Sequence, residues 1–126
     1  MNAAYHAESR EAVEAECRRI FHECRNASWD GYRAEPVSGE SLEIALLFLK
    51  VLPANSPLPE VCPMPDGCLS FEWRSESGTL LTGISPGGCV DFAFLGIDDK
   101  CCGSEQFTGV FPPTLNKFLQ TLYGSI

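Results

Sequence analysis

The sequence predicts an α+β fold: two N-terminal helices, a three- to four-stranded antiparallel meander and one C-terminal helix, in a single domain spanning residues 1–126. Three observations predict it. Apolar residues recur at helical spacing up to Val51, alternate at strand spacing from Cys68 to Leu95, and return to helical spacing after Pro112-Pro113. The turns between the alternating runs are too short for parallel crossovers, which leaves an antiparallel meander. With 126 residues, 44% of them hydrophobic and 21% charged, the chain is long enough to bury one core without staples.

The first helix is expected over residues 3–25, where Val13, Cys17, Ile20, Phe21 and Cys24 form one apolar stripe. Glu11, Arg18 and Arg25 lie on the opposite side, and Asn26 is a suitable stop because Asn tolerates the left-handed conformation. Ser38 caps the second helix, Glu40 suits the macrodipole in its first turn, and Pro53 ends it. Leu42, Ile44, Ala45, Leu46, Leu47, Phe48, Leu49 and Val51 leave that helix almost no polar face, so it is expected to be buried on more than one side.

Prolines at positions 53, 57, 59, 63 and 65 make residues 53–67 an irregular connector, closed by a Pro65-Asp66-Gly67 turn. The first strand is expected over Cys68–Ser75, with Leu69, Phe71 and Trp73 on one face and Ser70, Glu72 and Arg74 on the other. Thr79–Ser85 is the second strand and Cys89–Leu95 the third, with Val90, Phe92 and Phe94 facing the core and Asp91 facing solvent. A short fourth strand is expected near Lys100–Gly103. Pro112-Pro113 opens a last helix over Thr114–Leu122, whose inner face carries Leu115, Phe118, Leu119 and Leu122.

Charge and cysteine usage narrow the functional classes. The net charge is −8, and Asp30 to Glu105 hold twelve acidic residues against four basic ones, so the acidity belongs to the middle of the chain. Direct binding to nucleic acid needs a basic footprint and is not expected. Glutamates at 8, 11, 14 and 16 take the place of an apolar leader, and the greasy run Ile44–Leu49 is far short of the roughly 20 residues that span a bilayer, so a cytoplasmic protein without membrane contact is expected. The seven cysteines are an odd number without framework or chelate spacing, and are read as free thiols.

The segment Ser28-Trp29-Asp30-Gly31-Tyr32-Arg33-Ala34-Glu35-Pro36-Val37-Ser38 carries two aromatics, a turn dipeptide and a proline between two helices. That much aromatic surface is expected to dock onto the core. The segment resembles the Asn-Trp-Asp-Gly-x-Gly-Ala signature of a widespread set of small, uncharacterised bacterial and phage proteins. The resemblance extends to Leu58-Pro59-Glu60-Val61-Cys62-Pro63-Met64-Pro65-Asp66-Gly67 and to the strand Leu69-Ser70-Phe71-Glu72-Trp73, covering residues 26–96. The chain departs from it at Ser28, where Asn is usual, and at Arg33, where Gly is usual.

No nucleophile elbow, phosphate loop, zinc-protease helix or dinucleotide fingerprint is present. His22 and Cys24 point to different faces of their helix, and no metal or cofactor is expected. The leading expectation is a non-enzymatic protein-binding module. It would be a small acidic inhibitor of the phage anti-defence, anti-CRISPR, antitoxin or immunity kind, docking on a larger and basic protein such as a nucleic-acid-binding one. Asp30, Tyr32, Arg33 and Glu35 on the connector and Asp98 and Asp99 in a turn are the candidate contact residues. The alternatives are a homodimeric scaffold that uses the apolar second helix or a free sheet edge, and a small enzyme or ligand-binding domain with a site near Asp30.

Overall fold

A computed structural model of the chain describes residues 9–26, 28–31 and 34–124. Its elements run α1 (Arg10–Glu23), α2 (Gly39–Lys50), β1 (Glu60–Pro63), β2 (Leu69–Ser75), β3 (Gly78–Ile84), β4 (Cys89–Gly96), β5 (Lys100–Gln106) and α3 (Pro113–Tyr123). The strands form one antiparallel sheet in the order β1-β2-β3-β4-β5. The class agrees with the sequence; the strand count is corrected from three or four to five.

Each helix starts for a legible reason. The Ser9 side chain accepts the Ala12 N–H at 3.1 Å and starts α1, which buries Val13, Cys17 and Ile20 and turns the Glu16–Arg19–Glu23 ion pairs outward. It ends with Cys24 as C-cap, so Asn26 is not its stop, and residues 3–8 of the expected span lie outside the described residues. Ser38 caps α2 as expected, accepting from the Glu40 and Ser41 amides. At the other end of α2 the Arg10 guanidinium donates to the carbonyls of Lys50 and Leu52, where the helix dipole favours a cation. Pro112 and Pro113 open α3, whose lost N–H groups have no intrahelical partner in any case.

The register places Val61, Phe71, Thr82 and Phe92 in one row, with Leu69, Ile84 and Val90 beside it and Trp73, Leu80 and Phe94 beyond. These side chains share the sheet face on which all three helices pack. Phe48 of α2 is the hub: it stacks on Phe71 at 5.6 Å and meets Phe107 and Phe111 at 5.8 and 5.3 Å. Phe118 of α3 stacks on Phe94 at 4.5 Å, fixing the last helix over the far strands. Three polar side chains of the core find backbone acceptors: Ser41 Oγ donates to Ile84 O, Thr82 Oγ1 to Phe71 O and Trp73 Nε1 to Pro57 O, whereas Arg10 Nε is buried without a partner among the described residues.

The strands that depart from expectation are the two edges, β1 in being present and β5 in being longer than the short strand expected at Lys100–Gly103. β1 lies inside the proline-rich stretch, and it tolerates Pro63 because a terminal residue of an edge strand owes no ladder bond on its free side. β5 runs on to Gln106, three residues past the expected Gly103. Replacing Phe48 by Ala is expected to cost about 3–5 kcal/mol in chemical denaturation, whereas Leu47→Ala on the exposed side of α2 stays within about 0.5 kcal/mol.

Candidate functional site

The helix–helix connector is held by its own backbone. Ser28 N–H donates to Ala34 O at 2.7 Å, Gly31 N–H to Ser28 O at 2.9 Å, and the Asp30 carboxylate accepts the Ala34 amide at 3.4 Å. Trp29 Nε1 donates to Glu35 O at 2.7 Å, closing the loop over its indole, which packs against the core. Glu35 N–H then bonds Pro65 O and Ser38 N–H bonds Gly67 O, at 2.7 and 2.9 Å, tying the connector to the turn that feeds β2. Gly67 is required there, because a Cβ on it would sit 3.0 Å from Pro36 O and its φ is +90°. Asp30 thus closes a turn, and Glu35 contributes its backbone while its side chain stays exposed. Tyr32 and Arg33 lie outside the described residues.

The described candidates, Asp30 and Glu35 on one side and Asp98 and Asp99 on the other, are not brought together. The connector sits at the sheet end where Leu69, Ile84, Val90 and Glu105 align. Asp98 and Asp99 form the β4–β5 turn at the opposite end, where Ser75, Gly78 and Gly96 align and Gly96 N–H bonds Asp99 O at 2.8 Å. Among the described residues no group of three or more His, Cys, Asp or Glu side chains is placed to hold a metal ion.

The surface that sequence reasoning missed is the other face of the sheet. Alternation sends Ser70, Glu72 and Arg74, then Thr79, Leu81 and Gly83, then Asp91, Ala93 and Leu95 outward, away from the helices. Such a face is normally polar. Here Leu81 is 37% exposed and Leu95 52% exposed, with Ala93 between them. An open trough of about 430 Å³ runs over Thr79, Leu81, Ala93 and Leu95, and a hollow of about 190 Å³ continues past Met64, Cys68 and Ser70. The hollow is smaller than the roughly 300 Å³ of ordinary small-ligand clefts, and the trough is open, so neither encloses a small molecule. Four carboxylates (Glu60, Asp66, Glu72, Asp91) rim it against two cations, Arg74 and Lys100, and Arg74 is held by Glu72. The doublets Leu80-Leu81 and Phe94-Leu95 carry the legible signal, since two adjacent apolar residues in a strand cannot both face the core.

The thiols near these elements are not activated. Burial pushes Cys17 up to about 12, helped by the charges of Glu14 and Glu16. Burial pushes Cys68 up to about 12 as well, and the neighbouring carboxylates of Asp66 and Asp91 act in the same direction. Cys24, Cys62 and Cys89 are also raised, first by desolvation. Protonated thiols are poor nucleophiles, so none of these five suits covalent catalysis at neutral pH. No protein-family model, curated protein or solved structure matches this chain.

Two measurements follow from this geometry. Ser28 occupies the left-handed region at φ +61°, a conformation costly to most L-residues and easiest for Gly and Asn. Ser28→Asn is expected to stabilise the fold by up to about 1 kcal/mol in urea titration. The raised thiols make stability fall in alkali: below 9.0 they are protonated in both states, and above it only the unfolded chain ionises, until the folded groups follow at about 12. Denaturation midpoints are expected to hold up to about pH 9 and to decline above it, less steeply in Cys17→Ala.

Proposed function

We propose that this chain is a non-enzymatic protein-binding module: a small acidic inhibitor or antitoxin-like protein that docks its open sheet face on a larger partner with a basic surface. The single observation that carries the reading is the apolar strip Leu81–Ala93–Leu95 set inside a carboxylate-rich rim on the sheet face opposite the three described helices. Interfaces of this kind combine a dehydrated apolar centre with a polar rim, and the rim selects a partner of opposite charge. The net charge of −8 steers basic surfaces toward the protein and repels nucleic acid. The connector supports the same reading by default, since Asp30 and Trp29 are occupied in holding the turn.

The test is affinity capture from the native host, followed by measurement of the captured partner's dissociation constant. Leu81→Asp with Leu95→Asp is expected to weaken binding at least about tenfold while leaving the melting temperature near that of the parent, because both side chains are already exposed. Affinity is also expected to fall as salt rises. Unchanged affinity in the double variant overturns the sheet-face assignment. Loss on Tyr32→Ala and Arg33→Ala in place of the leucine variants moves the contact to the connector.

A further inference from the structure

The two edges of the sheet are unlike. β1 is four residues long, ends in Pro63 and packs against α1, all of which blunt an edge. β5 is seven residues long, without proline or bulge, and every residue but the half-buried Glu105 is exposed. Its backbone direction follows from the bonds that flank it. Gly96 N–H donates to Asp99 O and Phe107 N–H donates to Gly88 O, both at 2.8 Å. Antiparallel ladders alternate bonded and non-bonded pairs, so Cys101, Gly103 and Glu105 also turn their amides and carbonyls toward β4. Lys100, Cys102, Ser104 and Gln106 therefore aim theirs at the open edge: four donors and four acceptors in a straight row.

We infer that this edge pairs antiparallel with β5 of a second copy of the chain, about a two-fold axis normal to the sheet and midway between the two Gly103 residues. Such an axis keeps each face on its own side, so outward residues must meet outward residues, and only registers centred on a single residue are allowed. Centring on Gly103 uses the whole strand: Lys100 meets Gln106, Cys101 meets Glu105 and Cys102 meets Ser104 of the second copy. All eight edge groups then find partners. The acidic turn avoids its own kind, because Asp99 falls opposite Phe107 and Asp98 opposite Thr108. Centring on Cys102 would set Asp99 against Glu105, a directly opposed like-charge pair, and centring on Ser104 would leave Lys100 and Cys101 without strand partners. Charge and length thus select one register, and it is one in which a protein of net charge −8 does not oppose its own acids.

The inference is independent of the docking reading, since it concerns the edge and not the face. Sedimentation equilibrium of the full chain is expected to show a reversible dimer with a dissociation constant between about 1 µM and about 1 mM. A monomer throughout that range overturns the inference. Amide exchange read residue by residue at low and high concentration is expected to slow at Lys100, Cys102, Ser104 and Gln106 as the dimer forms. Cys101, Gly103 and Glu105, already bonded to β4, are expected to change little. A dimer that leaves the four edge amides unchanged overturns it equally. Ser104→Pro removes an edge donor without touching the β4 ladder, so it is expected to abolish the dimer while the monomer stays folded by circular dichroism. Retention of the dimer in that variant sinks the proposed register, and loss of the fold would show that Ser104 N–H faces β4 and not the edge.

Discussion

Everything in this molecule is arranged around the contact between Phe48 and Phe71. The two rings lie 5.6 Å apart and 8° from parallel, and Phe107 and Phe111 close on the same helix side chain. That cluster joins α2, the centre of the sheet and the segment that launches α3, so three parts of the chain distant in sequence share one anchor. It also decides which side of the sheet is wet. Once α2 is seated on Phe71, the short connectors hold α1 against α2 and β1, and α3 lies over β2 and β3 with Phe118 reaching Phe92 and Phe94 of β4. All three described helices fall on one face, and among the described residues no element covers the other. The bare strip of Leu81, Ala93 and Leu95 is the consequence of that one-sidedness.

The parts legible in the sequence are those where burial imposes a period. Val13, Cys17 and Ile20 on α1, Leu115, Leu119 and Leu122 on α3, and Leu69, Phe71 and Trp73 on β2 all face the core, as their spacing requires. Ser38 announces α2 because a cap needs one specific side chain at one place. The edge strands were harder for a physical reason. A strand exposed on both faces has no apolar alternation to display, and Lys100-Cys101-Cys102-Gly103-Ser104-Glu105-Gln106 shows none. β1 is hidden differently: its prolines read as loop, and only its position at the rim makes them harmless. Gly103 looks like a strand breaker, yet a Cβ there would lie 2.9 Å from the Phe92 ring, so the glycine is what lets β5 pass that ring.

The described part of the connector shows how conspicuous residues can serve the fold. Its aromatic, its aspartate and its glycine read as a site when taken as a list of residue types. Placed in space, the Trp29 indole N–H and the Asp30 carboxylate both serve the loop's own backbone, and two further amides bind the turn at Pro65–Gly67. The proline-rich turn and the connector are therefore one unit with a shared set of hydrogen bonds. Neither stretch can change its backbone path without unpairing the other. The open face is the reverse case, inconspicuous in sequence because it consists of common aliphatic residues at the wrong parity.

As proposed docking surfaces, the face and the edge would recognise by different physics, and their geometry relates them. An edge offers backbone groups, so its affinity depends on strand length and register and tolerates side-chain change; a face offers shape and charge, and is sensitive to both. Pairing two β5 strands about an axis normal to the sheet would leave both outer faces on the same side, in one continuous ten-stranded surface. Two apolar strips would then lie side by side, related by the same two-fold. A partner that is itself symmetric, or that repeats its contact, would engage both strips, and the second contact would form at the effective concentration set by the first. Weak self-pairing through β5 and modest affinity at each face would then suffice for tight engagement of a dimeric target. In a chain of 126 residues whose one core is already committed to holding three helices on the sheet, that is a way to raise affinity without enlarging the fold.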